Sequence, residues 1–324
     1  MYKAFFQLKR DPFDLTPDPD CFVATERHNE ALASLYYGVR RHKGFVVVTG
    51  EVGTGKTLLL RCLLGLLKDS PDIAYAYVFN GRLPATEFLQ YIVADFGLPA
   101  SGKPKYELLL DLGRFLVQRS SRGMTTVLIV DEAHHLSAEI LEEIRLLSNL
   151  ETSSEKLLQI VLVGQPELDE KLDSTELRQL KQRIAVRTQL EPLNYEETKR
   201  YIEQRLRIAG LPPDAAPLFQ EDATAAVYRY SRGLPRLIST LCENALLAAY
   251  ARQMHCVTRE IVESVARTFR LDVDGAPPRG GGDNPGEIDV QRAMNVLLDW
   301  YASRRGPFFA DHEPSLAAIA AEES

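Results

Sequence analysis

The sequence predicts an α/β protein: a parallel sheet covered by helices on both faces, followed by a small all-helical domain. Three observations carry this. Five strand-length stretches, Phe45–Val48, Ile73–Phe79, Thr125–Val130, Leu157–Val163 and Ile184–Leu190, are separated by segments of helical length. Most of these strands are near-continuous apolar runs, as burial on both faces requires. Past Pro192 the alternation stops, and Tyr195–Ala209, Asp222–Ser231, Leu234–Arg252 and Thr258–Phe269 follow as helices with no strand between them.

Taken in order, Met1–Thr25 is an irregular arm rich in Pro and Asp, pinned by Phe5, Phe6, Phe13 and Phe22. Thr25–His42 reads as a helix with Thr25 as N-cap; His28 holds the capping-box position without the usual acid. After the first two strands come helices at Pro84–Phe96 and Tyr106–Gln118, joined by the Gly/Pro-rich loop Gly97–Pro104. Ser137 caps a helix running to Leu150. Ala276–Gly286 reads as a flexible linker, and Ile288–Arg304 as one more amphipathic helix. The expected divisions are an arm and helix at 1–43, a nucleotide-binding domain at 44–191, a helical lid at 192–272, and a linker with an acidic tail at 273–324.

Composition narrows the class. Nine acidic and four basic residues from Val273 onward carry −5 of the net −7, leaving Met1 to Asp272 near −2. A near-neutral body is not coated for non-specific nucleic-acid binding. Cys21, Cys62, Cys242 and Cys256 have no metal-ligand spacing and read as reduced thiols of a cytosolic protein. The N-terminus lacks the apolar core of a signal peptide, and no apolar run has transmembrane length. The expectation is a cytoplasmic protein, with peripheral attachment at the inner membrane left open.

The chemistry gathers at strand ends. Gly50, Gly55, Lys56 and Thr57 fit G-x-x-x-x-G-K-S/T between an apolar strand and a helix. In that setting the loop residues Gly50, Glu51, Val52, Gly53, Thr54, Gly55, Lys56, Thr57 and Leu58 are expected to cradle a nucleotide phosphate. Lys56 would reach the β- and γ-phosphates, and the Thr57 hydroxyl would ligate Mg²⁺. Asp131 follows the third strand and is the second candidate Mg²⁺ ligand; Glu132 beside it suits a base that orients water. The bland alternative is a solvated acidic helix start. Asn80 either restrains Glu132 or opens an Asn-Gly turn, and Gln165 either senses the γ-phosphate or turns the chain before Pro166. Arg183, just before the last strand, is the choice for an arginine finger reaching a neighbouring subunit. Arg236, at the start of a lid helix where the dipole disfavours a cation, is placed to fold back onto the γ-phosphate. The cofactors expected are ATP and Mg²⁺.

Together these residues resemble the AAA+ superfamily of P-loop ATPases, in the branch marked by D-E-A-H at Asp131–His134 that includes origin-recognition-type ATPases. The stretches M-Y-x-x-F-F-x-L-x-x-x-P-F-x-L-T-P-D-P at Met1–Pro19, G-E-V-G-T-G-K-T at Gly50–Thr57 and V-L-V-G-Q-P-E-L at Val161–Leu168 are similar to the general secretion pathway A-protein family and to ATPases of exosortase and exopolysaccharide loci. The resemblance covers about Met1 to Phe269. It implies an αβα nucleotide domain with a helical lid, and ring or filament assembly with Arg183 in trans and Arg236 in cis. It also implies a protein partner in an envelope complex. Secretion members of the family often carry a transmembrane segment and a peptidoglycan-binding domain after the ATPase; here the linker and acidic tail stand in that place. The module also resembles transposition regulators that load onto DNA, so a DNA-associated regulator is the alternative reading.

Overall fold

The computed structural model describes residues 2–14, 22–23, 25–79, 83–152 and 155–271. Asn80, the linker and the expected helix at Ile288–Arg304 lie outside these residues. The arm opens with a one-turn helix, α1 (Tyr2–Phe5), and α2 (Glu26–Arg40) leads into the sheet. There follow β1 (Phe45–Gly50), α3 (Lys56–Lys68), β2 (Ile73–Val78), α4 (Ala85–Asp95), α5 (Lys105–Ser120), β3 (Thr125–Val130), α6 (Ala138–Leu147), β4 (Gln159–Gly164), the short α7 (Pro166–Leu172) and α8 (Arg178–Lys181), and β5 (Ile184–Leu190). The helices α9 (Tyr195–Ile208), α10 (Glu221–Ser231), α11 (Pro235–Ala251) and α12 (Arg259–Thr268) close the described chain.

The five strands form one parallel sheet in the order β2-β3-β4-β1-β5. β1, β3 and β4 are buried at every residue, whereas β5, on the edge, alternates. Successive side chains point to opposite faces, and the core divides accordingly. Val46, Val48, Val127, Ile129, Val161 and Val163 pack with Leu35, Val39, Leu59 and Leu63 of α2 and α3. Phe45, Val47, Leu128, Val130, Ile160 and Leu162 pack on the other face with α4 to α8. Each such side chain contributes roughly 1.5–3 kcal/mol when fully buried.

The caps behave as their residue types require. The Thr25 hydroxyl accepts the His28 N–H at 3.3 Å, and Ser137 accepts the Ile140 N–H at 3.3 Å. Asn194 and Glu197 close a capping box at the start of α9.

A third apolar cluster joins α9–α12 to the arm. Phe13, 1% exposed, meets the Phe219 ring edge-on at 6.1 Å. The buried guanidinium of Arg205 donates to the carbonyls of Pro12 at 2.6 Å and Asp14 at 2.9 Å and to the Tyr201 hydroxyl at 3.2 Å. A buried cation is tolerated only with such partners. The arm is therefore part of the helical region's core, although the two are nearly 200 residues apart in sequence.

Candidate nucleotide site

The site lies at the carboxyl ends of the strands, where open α/β sheets bind ligands. Gly50 ends β1, and the chain from Glu51 to Gly55 curls before α3 begins. Two positions need glycine. Gly53 has φ +85°, and a Cβ there would lie 3.0 Å from Cβ of Arg236. Gly55 has φ +99°, and a Cβ there would lie 3.2 Å from Nε2 of His28. Inside the loop, Lys56 Nζ donates to the carbonyls of Gly50 at 2.7 Å and Glu51 at 2.9 Å, and the Thr54 hydroxyl donates to the Glu51 carbonyl at 2.8 Å. Burial lowers the Lys56 pKa, opposed by the charges of Glu132, Asp131, Glu51 and Glu167. Thr57, in the first turn of α3, is exposed.

Asp131 is buried at the end of β3. Its Oδ1 accepts the Glu132 N–H at 2.8 Å and its Oδ2 the Tyr77 hydroxyl at 3.1 Å. Burial, reinforced by the Glu132 charge, pushes the Asp131 carboxyl up to about 6. Glu132 takes a left-handed backbone, φ 51° and ψ 35°, a conformation that non-glycine residues hold only where surrounding structure enforces it. Glu132 Oε2 lies 3.3 Å from His134 Nδ1, yet has no hydrogen-bond partner. The reason is that Nδ1 accepts the Gln165 N–H at 3.4 Å. Burial, then the neighbouring His135, lowers the His134 pKa, so the contact is a neutral imidazole beside a carboxylate rather than an ion pair. Glu132, His134 and His135 each bring one ligand atom within 4.8 Å of the others, but His134 Nδ1 is already taken by that amide.

The structure brings together the loop 50–58, Asp131, Glu132, Gln165 and Arg236. Gln165 stands at the N-cap position of α7, at the carboxyl end of β4, without a side-chain cap hydrogen bond. The Arg236 N–H donates to the Gly53 carbonyl at 3.2 Å, which seats the start of α11 on the phosphate loop. Arg183 is elsewhere. It precedes Ile184, which pairs with Phe45 at the amino end of β1, and its Nη1 donates to the Ser148 hydroxyl at 2.7 Å. Five residues of extended chain put that end about 17 Å from Gly50. Two participants were not legible in the sequence. Tyr77 looks like one more apolar strand residue until β2 pairs with β3 in register. His28 looks like an imperfect capping box, although its Nε2 meets the Thr54 carbonyl at 3.0 Å.

The donor set fits a nucleoside triphosphate with Mg²⁺: a glycine-rich turn at a helix N-terminus, a buried lysine, a hydroxyl on the first helical turn, and a buried carboxylate at the end of β3, separated from β1 by β4. Residues 39–172 match a family described as an AAA domain. The surrounding chain is 40% identical over 312 residues to general secretion pathway protein A of Aeromonas hydrophila, a match covering 96% of this chain and 55% of that protein. The chain thus spans about half the length of this curated relative. Among solved structures, the Aeropyrum pernix ORC2 protein in its ADPNP-ADP complexes is similar at a TM-score of 0.57 and 18% identity, covering 92% of this chain and 86% of that one. Drosophila ORC bound to DNA gives a TM-score of 0.59 at 18% identity, covering 93% and 80%. At these identities the likeness is one of fold: a parallel sheet with its helices, followed by a helical region. Among the described residues no helix is long and apolar enough to cross a membrane.

Proposed function

We propose that this protein is an ATP-hydrolysing AAA+ switch or motor that assembles or energises an envelope secretion or polysaccharide-export system. It would work from the cytoplasmic side, at the inner membrane. The observation that carries the ATPase reading is the Asp131–Glu132 pair: one carboxylate buried and held by two donors, the next turned by a left-handed backbone with an oxygen that lacks a hydrogen-bond partner. The identity to general secretion pathway protein A supports the envelope role.

In this reading the loop 50–58 and Lys56 bind the triphosphate, and Thr57 and Asp131 hold Mg²⁺. The ion would neutralise charge on the phosphate oxygens. Lys56 must first leave the Gly50 and Glu51 carbonyls. Glu132 takes a proton from water at its carboxylate. Gln165 and Arg236 read the γ-phosphate from β4 and from the lid, and Asn80 restrains Glu132 until a partner binds. Arg183, on the far edge of its own sheet, serves the site of a neighbouring subunit in a ring or filament. Glu132→Gln is expected to lower ATP turnover by 10²-fold or more while nucleotide binding persists; turnover at the wild-type rate removes Glu132 as the base.

A further inference from the structure

His28 lies in α2, before the sheet begins, and is 4% exposed. Its two ring nitrogens have different partners. Nε2 is 3.0 Å from the Thr54 carbonyl, and Nδ1 is 2.8 Å from the Thr25 hydroxyl. A carbonyl only accepts, so Nε2 carries the proton. The Thr25 hydroxyl then donates to Nδ1 while its oxygen accepts the His28 N–H at 3.3 Å. The Phe22 ring stands edge-on at 5.7 Å and closes the pocket. The result is a chain from Thr25 through the imidazole to the backbone of the phosphate loop.

We infer that His28 is a positioning residue that sets the Thr54–Gly55 peptide so that the loop presents a backbone N–H to a phosphate. In a trans peptide the carbonyl and the following N–H point in opposite directions, and among the described residues no peptide bond is cis. Holding the Thr54 carbonyl out toward α2 therefore aims the Gly55 N–H to the other side, into the loop. Gly55 itself cannot hold this orientation, because a glycine at φ +99° has no side chain to restrict its backbone. The imidazole also occupies the side of Gly55 where a Cβ would project.

This inference rests on the phosphate-loop reading above, and the test separates the two. Binding of fluorescent ADP and ATP analogues is measured by anisotropy for the full chain, wild type beside His28→Ala and His28→Gln, with melting of each protein without nucleotide as the control for folding. Wild-type binding is expected, with affinity falling roughly tenfold in His28→Ala, the scale of one buried hydrogen bond lost. His28→Gln, whose amide N–H can reach the same carbonyl, should recover most of the loss. Steady-state turnover should show the change in KM rather than kcat. If wild type binds no nucleotide, the phosphate-loop reading falls and takes the inference with it. If wild type binds and His28→Ala binds equally well, the inference alone is overturned. Equal losses in the Ala and Gln variants also overturn it, because the contribution would then be packing rather than the hydrogen bond.

Discussion

At the residue scale, the site holds Asp131, the carboxylate proposed to bind Mg²⁺, against the solvation preference of that group. Asp131 is buried beside a second carboxylate, and burial, then the Glu132 charge, pushes its carboxyl up to about 6. The folded protein therefore binds this proton more tightly than the unfolded chain does. The contribution favours folding below about pH 4 and is lost as pH rises from about 4 to about 6. At neutral pH the ionised group is a net cost. Asp131→Asn should then stabilise the nucleotide-free protein at pH 7.5 by on the order of 1–2 kcal/mol. Its Oδ1 can accept the Glu132 N–H while its Nδ2 donates to the Tyr77 oxygen. Thermal unfolding across pH 4–8 checks this: the gap between variant and wild type should narrow toward pH 4, where wild-type Asp131 is protonated. A variant less stable than wild type at pH 7.5 would count against it. Mg²⁺-dependent nucleotide affinity should meanwhile fall in the same variant, measured by titration with and without a chelator.

The residues of this site differ in how readily they are read from the chain. Lys56, Thr57, Asp131 and Glu132 are legible because one short motif and one strand end contain them. Tyr77 and His28 are not, because each acts on a residue reached only through the fold: Asp131 across the β2–β3 pair, and Thr54 from a preceding helix.

At the element scale, α11 reaches the phosphate loop and the arm packs into the core of the helical region. The start of α11 is bonded to the phosphate loop through the Arg236 N–H and the Gly53 carbonyl. The arm enters that core with Phe6 and Phe13 and is clamped by Arg205. Phe13→Ala removes a ring that is 1% exposed and should cost about 3–5 kcal/mol of stability, read from denaturant unfolding. A loss below about 1 kcal/mol would mean that the arm is not part of this core. The five strands and the longer helices are forecast by pattern, whereas the short α1 and α7 are not. Their ends shift by a residue or two, as at β4, which begins at Gln159 rather than Leu157. The Gln159 side chain accepts the Gly44 N–H at 2.9 Å, a contact that an apolar count does not register.

At the scale of the whole molecule, the geometry separates the phosphate loop from Arg183. Loop and lid sit at the carboxyl ends of the strands, whereas Arg183 is at the amino end beside Ser148. If active sites are shared between subunits, specific ATPase activity should rise with protein concentration. Arg183→Ala should flatten that rise and lower turnover by about 10³-fold or more at saturation. Wild-type turnover independent of concentration would instead describe a monomeric switch.

The division between sequence and tertiary structure follows from range. Local chemistry determined the phosphate loop, the strands buried on both faces and the helices past Pro192, since hydrophobic period and glycine spacing act over a few residues. The Asp131–Glu132 pair was equally plain, because its meaning comes from the strand it ends. Only the tertiary structure decided that the arm belongs to the helical core, that the lid rests on Gly53, that Arg183 faces away from its own site, and that His28 grips the loop at Thr54. Each of these joins residues tens to nearly two hundred positions apart. Such pairings are set by how the layers stack, and no period along the chain encodes them.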